Sequence, residues 1–483
     1  MNYEATIGLE VHVQLKTYSK MFCGCANIYG DAPNSHACPI CLGLPGALPT
    51  PNEQALRLTA LTGLMLSCEI APRCKFDRKN YFYADMPKNY QISQYDLPIC
   101  LGGGLDLMME CYPKDAQKDV TTTKHIGLVR IHLEEDVGKS FHFEDSTGVD
   151  FNRAGTPLME IVTQPEINSP EEAFAFLSTL RNTLLYGNVS DADMEKGQLR
   201  CDCNVSVRPV GQKEFGTKIE IKNMNSISGV RRALAYEIER QKQSLDHGKK
   251  LTQETRRWDD ATGTTFLMRS KEMAHDYRYF PEPDLMPVET APWLDEVRKQ
   301  VPELPNARKH RFMEQFKLTE YNAGVLVADL ELADFFETAA SRSKNPNTTA
   351  NWIVNDLLRE LGATGKPLSE SPIRSAELIE LVDLTESGKI NSKQARDVFI
   401  EMFQTGKKPG VIVEEKGLSQ VSDAGAIEKF CDEIIAANTK IAADIKGGNT
   451  KAIGALVGQV MKLSKGKANP AMVNEILKKK LVS

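Results

Sequence analysis

The sequence of 483 residues has no apolar run that approaches the roughly 20 residues of a membrane-spanning helix, which excludes a helical membrane span. Its first residues lack the basic region of a signal peptide and carry Glu4 instead, so we expect a cytoplasmic protein. Aromatic residues make up only 7%, but 41% hydrophobic and 26% charged residues describe a globular chain without a disordered majority. We find no internal repeat and no low-complexity tract, and the length predicts two to four domains.

The standard nucleotide-binding motifs are also missing. The stretch "VGKS" resembles the end of a P-loop at Gly138, Lys139 and Ser140, but Leu133 occupies the position of the required earlier glycine. The stretch "LGGGL" around Gly103 lacks the spacing of a dinucleotide fingerprint and predicts a turn. Any ATP site in this chain must therefore be of another kind.

The formal charge of −6 is unevenly distributed along the chain. From Lys440 to Ser483, nine lysines and two acidic residues give the segment a charge of +7, so the remainder carries −13. A basic tail on an acidic body favours an anionic partner, with nucleic acid the leading candidate. The alternative is that the lysines only solubilise helices.

The chain divides by pattern into three pieces. Residues 1–290 carry short alternating segments broken by Gly, Pro and Asn, which predicts a large α+β domain with a mainly antiparallel sheet. The stretches "TANWIVNDLLREL" and "SKQARDVFIEMF" have helical spacing and predict an all-α domain at 291–405. A small all-α tail domain is predicted at 406–483, where Ile453, Leu456, Val457, Val460 and Met461 mark one helix face.

Four segments alternate apolar and polar residues as half-buried strands do: "IGLEVHVQL", "VRIHLEED", "LRCDCNVSVR" and "TKIEIKN". Their polar sides offer Glu10, His12, Asp202 and Glu220, and the run Glu134, Glu135 and Asp136 adds a cluster of carboxylates. If the four strands are neighbours in one antiparallel sheet, these carboxylates crowd together with an imidazole. Cys201 and Cys203 lie on the apolar side of their strand, which predicts that they are core residues.

Crowded carboxylates repel each other unless a cation neutralises them. Oxygen ligands with one histidine favour Mg²⁺ or Mn²⁺, and such an ion with open positions is the usual clamp for a nucleoside triphosphate. The alternative is that each strand merely exposes a solvated polar side. Because the pattern recurs on four strands, it supports the metal site, and the solvated sides stay the alternative.

Eleven cysteines in a cytosolic chain predict thiols or metal ligands rather than disulfides. Cys23 and Cys25 form a C-x-C pair, and after twelve residues Cys38 and Cys41 form a C-x-x-C pair. This spacing is typical of a tetrahedral structural zinc site, with free thiols in a loop as the alternative. Four sulfur ligands leave no open position, which excludes a zinc hydrolase built on this site.

Longer motifs resemble one family in order along the chain. They are "IGLEVHVQL", "KFDRKNYFYADMPKNYQISQYDLPI", "HLEEDVGKS", "FNRAGTPLMEIV", "LRCDCNVSVR", "GTKIEIKNMNS" and "DYRYFPEPDL". Together they resemble the GatB family, the B-type members of the glutamyl/aspartyl-tRNA amidotransferases. The resemblance covers essentially the whole chain, including the lysine-rich tail. The related E-type members carry a large insertion after the catalytic region, and no such insertion follows Pro287, so the B type fits better.

The resemblance implies a ligase subunit with a cradle-like catalytic domain that binds ATP, Mg²⁺ and a structural Zn²⁺. Such a protein phosphorylates the side-chain carboxylate of Glu-tRNA(Gln) or Asp-tRNA(Asn), and ammonia then displaces the phosphate to give Gln-tRNA(Gln) or Asn-tRNA(Asn). A glutaminase A subunit would supply the ammonia, and a small C subunit would complete a heterotrimer. Consistently, we find no nucleophile constellation for glutamine hydrolysis in this chain. The alternative is a non-catalytic, tRNA-binding scaffold subunit of the same complex.

The resemblance also implies roles for individual residues. It implies a magnesium site, with Glu10 beside it, whose ligands are His12, Glu135, Asp202 and Glu220. Strict alternation puts Glu134, not Glu135, on the side of His132. If Glu135 is the ligand, as the family pattern implies, a bulge or a strand end must follow Leu133.

Further residues match family positions outside this site. Lys79 and Lys88 match lysines that we expect along an ammonia path or near the phosphates, although surface lysines in a Tyr-rich loop would need no such role. The zinc cysteines kept by some family members match Cys23, Cys25, Cys38 and Cys41. The family uses the tail domain to bind tRNA, and our candidates for phosphate contacts are Lys451, Lys462, Lys465 and Lys467.

Overall fold

The computed structural model describes residues 2–270, 276–418, 424–446, 452–464, 468 and 470–482. The chain divides into two compact units, Met1–Arg308 and Lys309–Ser483. Strands and helices build the first unit and helices build the second, which confirms the predicted α+β class. The finer division at 290 and 405 stays a prediction.

A ten-stranded sheet organises the first unit. Its strands and those of three small sheets are β1 (Tyr3–Gln14), β2 (Glu69–Ile70), β3 (Arg73–Cys74), β4 (Asp77–Asn80), β5 (Tyr90–Ser93), β6 (Cys100–Leu101), β7 (Gly104–Asp106), β8 (His125–Glu135), β9 (Lys139–His142), β10 (Thr147–Asp150), β11 (Pro157–Thr163), β12 (Leu199–Pro209), β13 (Ile219–Met224), β14 (Glu254–Asp259), β15 (Thr264–Ser270), β16 (Phe280–Pro281) and β17 (Val288–Glu289). The large sheet has the order β15-β14-β13-β12-β1-β11-β8-β6-β2, and β7 pairs with β8. Its neighbours are antiparallel except β13 and β14, which run parallel.

The alternation of the sequence separates two sides of the large sheet. On β1, Ile7, Leu9, Val11 and Val13 are at most 1% exposed. They share one core with the apolar faces of α1 (Glu53–Met65), α2 (Pro170–Tyr186), α3 (Ile227–Asp246) and α4 (Ala291–Arg298). Cys201 and Cys203 belong to the same core, as predicted. Because the helices pack on the apolar side, the polar side is left to the candidate site.

Two helices that cover the sheet have strong N-terminal signals. Ser169 precedes α2, where its hydroxyl accepts a hydrogen bond of 3.1 Å from the Glu172 amide, and a proline follows in the first turn. Ser226 accepts in the same way from the Gly229 amide at 2.9 Å and begins α3 directly after β13. Such caps satisfy amides that the helix leaves unpaired. They fix where each helix begins against the sheet.

The second unit is helical. Its helices are α5 (Pro305–Gln315, which contains the boundary), α6 (Glu320–Val327), α7 (Leu330–Ala340), α8 (Pro346–Asn351), α9 (Leu358–Thr364), α10 (Ser375–Glu386), α11 (Ser392–Thr405), α12 (Pro409–Glu415), α13 (Ala424–Ala437), α14 (Thr439–Lys446), α15 (Ile453–Leu463) and α16 (Pro470–Leu481). A π-helical segment, Trp352–Leu357, joins α8 to α9. The predicted face of α15 packs into a core with α13, α14 and α16. Within the described ranges, no helix is long and apolar enough to cross a membrane.

Candidate active site

Strand register brings polar side chains from five strands to one side of the large sheet. His12 of β1 lies opposite Arg200 of β12 and opposite Glu160 of β11, and Glu160 lies opposite His132 of β8. Residues directly opposite in an antiparallel pair project to the same face. The four predicted strands therefore share a sheet, but β11 lies between β1 and β8 and adds a carboxylate that the sequence analysis did not select.

The first group of ligands, which we call the histidine cluster, consists of His12, His132, Glu134 and Glu160. His12 Nε2 lies 3.4 Å from Glu160 Oε2 and 3.8 Å from Glu134 Oε1. His132 Nε2 lies 3.4 Å from the same Glu160 oxygen. Three ligand atoms lie within 4.8 Å of one another, one each from His12, Glu134 and Glu160. This geometry can hold a metal ion.

Charges within the histidine cluster compensate each other. Burial lowers the pKa of His12, but the Glu160 and Glu134 carboxylates outweigh it and the pKa lies above its ordinary value. Burial raises the pKa of Glu160, yet His132 and His12 bring it well below the usual range. Both shifts favour a protonated His12 imidazole beside an ionised Glu160 carboxylate. A divalent cation that binds here must compete with that proton.

The second group, which we call the carboxylate cluster, consists of Glu10, Asp202 and Glu220, whose ligand oxygens also lie within 4.8 Å of one another. Asn204 Nδ2 donates to Glu10 Oε1 at 2.9 Å, and Thr255 Oγ1 donates to Glu220 Oε2 at 2.8 Å. These bonds fix the carboxylates in position. Three oxygen donors with supporting hydrogen bonds fit Mg²⁺, which prefers hard ligands.

A cleft of about 1140 Å³ borders the carboxylate cluster and is lined by Arg200, Asp202 and Lys222 from β12 and β13. Further basic residues on its walls are Lys16, Lys139, Arg153, Lys196 and Arg257, so seven basic residues outnumber the five acidic ones, Asp31, Asp150, Asp191, Glu195 and Asp202. Cations concentrated on a concave surface attract anions. The cleft therefore suits a phosphate-bearing ligand beside the carboxylate cluster.

Glu135 is not part of either cluster, and the predicted bulge after Leu133 is wrong. β8 and β11 keep an unbroken register through this stretch, so the alternation continues to the strand end. Glu135 consequently points to the other side of β8, where it pairs with Lys88 and accepts a hydrogen bond of 2.9 Å from the Ile92 amide. Glu134, the residue that strict alternation indicated, reaches the histidine cluster instead.

Lys79 lies beside the histidine cluster, whereas Lys88 is paired with Glu135. Lys79 Nζ is 3.8 Å from Glu134 Oε2 and lies 5.3 Å from the centre of the Tyr277 ring. Burial lowers the Lys79 pKa, but the Glu134 carboxylate outweighs this and the pKa is raised. Lys79 is therefore a charged partner of Glu134 rather than a general base.

Sequence reasoning did not select Glu160, His132 or Arg200 as site residues. Glu160 is the single charged residue of β11, whose other residues are apolar except Thr163, and it is 8% exposed. A lone carboxylate inside an apolar strand is a detectable signal, because burying a charge needs a compensating partner. The residues that compensate the charge of Glu160 lie on neighbouring strands, so they cannot be identified without the strand order.

The four loop cysteines come together as predicted for a metal site. The sulfur atoms of Cys23, Cys25, Cys38 and Cys41 lie within 4.8 Å of one another. Cys38 Sγ and Cys41 Sγ are 3.8 Å apart. Zn–S bonds of about 2.3 Å in a tetrahedron place sulfurs roughly 3.8 Å apart. A hydrogen bond from the Cys23 thiol lowers the pKa of Cys41 to about 4, which favours a thiolate ligand.

We expect the purified protein to bind one zinc ion per chain through these cysteines, because four sulfurs close a tetrahedral site. Elemental analysis after dialysis measures the metal content. Cys38→Ser is expected to lose the zinc, whereas Cys431→Ser, in α13, is expected to retain it. Equal zinc content in both variants would contradict this assignment.

Of the four tail lysines predicted to contact tRNA, only Lys462 is described; it is exposed in the last turn of α15. Lys451, Lys465 and Lys467 lie outside the described residues. The tRNA contacts therefore stay a prediction.

Comparison with known families decides the relationship. The model of the GatB/GatE catalytic domain matches residues 5–294, and the model of the GatB domain matches residues 334–481. The chain belongs to the GatB family. The resemblance drawn from the sequence motifs is thereby confirmed.

Named relatives of the GatB family match over their full length. The B-type chain of the aspartyl/glutamyl-tRNA(Asn/Gln) amidotransferase of Methylacidiphilum infernorum is 56% identical, over 100% of this chain and 99% of its own. The protein of the same name from Carboxydothermus hydrogenoformans is 53% identical over 99% of both chains. That of Opitutus terrae is 53% identical over 100% of both chains.

Proposed function

We propose that this chain is the activating subunit of a glutamine-dependent tRNA amidotransferase. Its substrates are ATP and a tRNA that carries glutamate or aspartate in place of glutamine or asparagine. The observation that carries the proposal is the pair of ligand clusters on one sheet face beside a cleft lined by cations. The names of the full-length relatives support the substrate class.

The donor sets fit the divalent cation that accompanies ATP. Glu10, Asp202 and Glu220 offer oxygen only, as Mg²⁺ prefers, and His12, Glu134 and Glu160 offer a set suited to Mg²⁺ or Mn²⁺. When bound, such an ion neutralises phosphate charge and holds the terminal phosphate for transfer. This proposal replaces Glu135 of the sequence-based ligand set with Glu134 and adds Glu160.

The chemistry proceeds in two displacements. An oxygen of the substrate's side-chain carboxylate attacks the terminal phosphorus of ATP, the bond to the bridging oxygen breaks, and ADP leaves. Ammonia then attacks the carbonyl carbon of the acyl phosphate and expels inorganic phosphate, which leaves the side-chain amide. A carboxylate is a poor acyl donor until one oxygen becomes part of such a leaving group.

The chain's own cations assist both displacements. Arg200 and Lys222 line the cleft, and we propose that they contact the phosphates there. Lys79 compensates the charge of Glu134 at 3.8 Å. Fixed positive charge near the transferred phosphoryl group stabilises the transition state without rearrangement of solvent.

Partners complete the activity. We propose that a glutaminase A subunit supplies the ammonia and that a small C subunit completes a cytoplasmic heterotrimer. The tail domain binds the tRNA through phosphate contacts, with Lys462 as its described candidate. Such contacts position the tRNA without reading its sequence.

Glu220→Gln tests the proposed function. The variant keeps the side-chain size but removes one negative charge from the carboxylate cluster. In the assembled enzyme it is expected to lower ADP formation that depends on mischarged tRNA by roughly 10²- to 10³-fold, with the Kd for tRNA unchanged. ADP release and a tRNA binding titration measure the two quantities.

Glu239→Gln, on the exposed face of α3, is the matched control and is expected to retain parental rates. Parental ADP formation by Glu220→Gln would overturn the proposal. That result would favour the scaffold alternative, in which the chain binds tRNA and the acidic sheet face takes no part in phosphorylation.

A further inference from the structure

Lys222 of β13 occupies the carboxylate cluster. Its ammonium is bonded to Asp202 and lies 3.1 Å from Glu220 Oε1. These are two of the three carboxylates whose oxygens converge closely enough to hold a metal ion. The lysine nitrogen is therefore placed as a cation bound by the same two oxygens would be.

An ammonium and a divalent cation cannot use these oxygens together. Like charges a few ångströms apart repel strongly where the surroundings are partly shielded from water. Glu220 is 10% exposed at its side chain and Asp202 is 19% exposed, so the oxygens are largely withdrawn from solvent. Metal binding at these carboxylates requires that Lys222 leaves.

The route by which Lys222 can leave is open. Its side chain is 32% exposed and lines the cleft of about 1140 Å³ together with Asp202 and Arg200. Lysine carries its charge on a flexible four-carbon stem, so a change of rotamer moves the ammonium by several ångströms without moving the strand. Arg200 of β12, which also lines the cleft, is held by Asp136 at 2.9 Å.

We propose that Lys222 is an exchangeable counter-ion of the carboxylate cluster. In the resting protein its ammonium neutralises Asp202 and Glu220. On binding of a nucleotide with its divalent cation, Lys222 would release these carboxylates, and its freed ammonium would bind the nucleotide phosphates in the cleft. The phosphate contact rests on the proposed function, whereas the competition between Lys222 and a metal ion does not.

This exchange makes metal binding depend on the nucleotide. A free divalent cation must expel Lys222 and leave its ammonium without a partner. A cation that arrives with a nucleotide brings phosphates to which the ammonium can transfer. The carboxylate cluster is therefore expected to have a low affinity for the free ion and a high affinity for the ion bound to its nucleotide.

Mn²⁺ binding to the assembled enzyme, without nucleotide and without RNA, tests the exchange. Electron paramagnetic resonance reports free Mn²⁺ during a titration. Lys222→Met is expected to bind one more Mn²⁺ per chain than the parent, or the same ion at least about tenfold more tightly, because its carboxylates have lost their counter-ion. Lys222→Arg keeps a cation and is expected to behave as the parent.

Two further variants make the result decisive. Lys222→Gln keeps a polar side chain of similar reach and is expected to gain Mn²⁺ binding as Lys222→Met does. Adding Asp202→Asn to Lys222→Met is expected to abolish the gain, which locates the new binding at the carboxylate cluster. The proposal is overturned if neither Lys222→Met nor Lys222→Gln binds Mn²⁺ more tightly than the parent.

A second readout concerns the phosphate contact. Lys222→Met is expected to raise the KM for Mg-ATP roughly 10- to 100-fold with an unchanged Kd for tRNA, as loss of one charge-assisted hydrogen bond implies. An unchanged KM would overturn the phosphate contact. The Mn²⁺ titration contains neither ATP nor tRNA, so failure of the proposed function and failure of the counter-ion exchange give different results.

Discussion

Glu160→Gln is expected to lower the rate of ATP-dependent amidation roughly 10²- to 10³-fold in the assembled enzyme. Glu160 lies between two imidazoles, with His12 Nε2 and His132 Nε2 both 3.4 Å from its Oε2. The amide keeps the size of the side chain but removes the charge that balances them. The histidine cluster then loses one metal ligand and the partner that orients the other.

Steady-state formation of amidated tRNA measures this effect. Glu239→Gln, an exposed carboxylate on α3 outside the lining of the cleft, is the matched control and is expected to retain parental activity. Glu160→Gln with parental activity and an unchanged requirement for Mg²⁺ would show that the histidine cluster takes no part in the reaction.

Asp136→Asn is expected to reduce the free energy of unfolding of the first unit by about 3 kcal/mol. Asp136 is 3% exposed, and its Oδ2 accepts hydrogen bonds of 2.9 Å from both Arg200 and Gln14. Its Oδ1 accepts from the Val137 amide at 2.9 Å. Loss of the charge leaves the Arg200 guanidinium without its carboxylate partner, which costs more than a surface ion pair would.

The loss of unfolding free energy caused by Asp136→Asn is expected to become smaller in acid. Burial raises the pKa of Asp136, but Arg200 and Arg153 outweigh it and the folded-state pKa lies below its ordinary value. The stabilisation is thus present above the unfolded pKa of about 3.9 and is lost as the pH falls through the lower, folded value.

Denaturant titrations of the parent and the variant at several pH values measure the difference between their free energies of unfolding. It is expected to be constant near neutrality and to narrow in acid. The control Asp145→Asn, on the exposed turn between β9 and β10, is expected to change stability little. A difference that widened in acid would contradict the ion pair between Asp136 and Arg200.

The faces of the strands could be predicted from the sequence because a period of two is local information. Alternation identified Glu10, His12, Asp202 and Glu220 as residues of polar sides, and these do lie on one side of one sheet. The same alternation placed Glu134 on the side of His132, and the bulge that the family pattern required after Leu133 is absent from β8. The cysteine spacing likewise predicted which four sulfurs converge.

The order of the strands could not be predicted, because neighbours in a sheet are set by packing over long sequence separations. Glu160 reaches the site because β11 lies between β1 and β8, and this order is not visible in the sequence. For the same reason the sequence suggested one ligand set where the structure has two clusters. The position of Lys222 between Asp202 and Glu220 also depends on side-chain conformation, which no periodicity encodes.

Transfer of oxygen from substrate to phosphate tests the central claim most directly. Mischarged tRNA whose side-chain carboxylate carries ¹⁸O in both positions is amidated by the assembled enzyme with ATP and ammonia, and the released phosphate is examined by mass spectrometry. The account predicts one ¹⁸O in each phosphate formed by the parent and a correspondingly slower appearance of labelled phosphate with Glu160→Gln. Amidation by the parent enzyme that releases phosphate free of ¹⁸O would contradict the acyl phosphate intermediate.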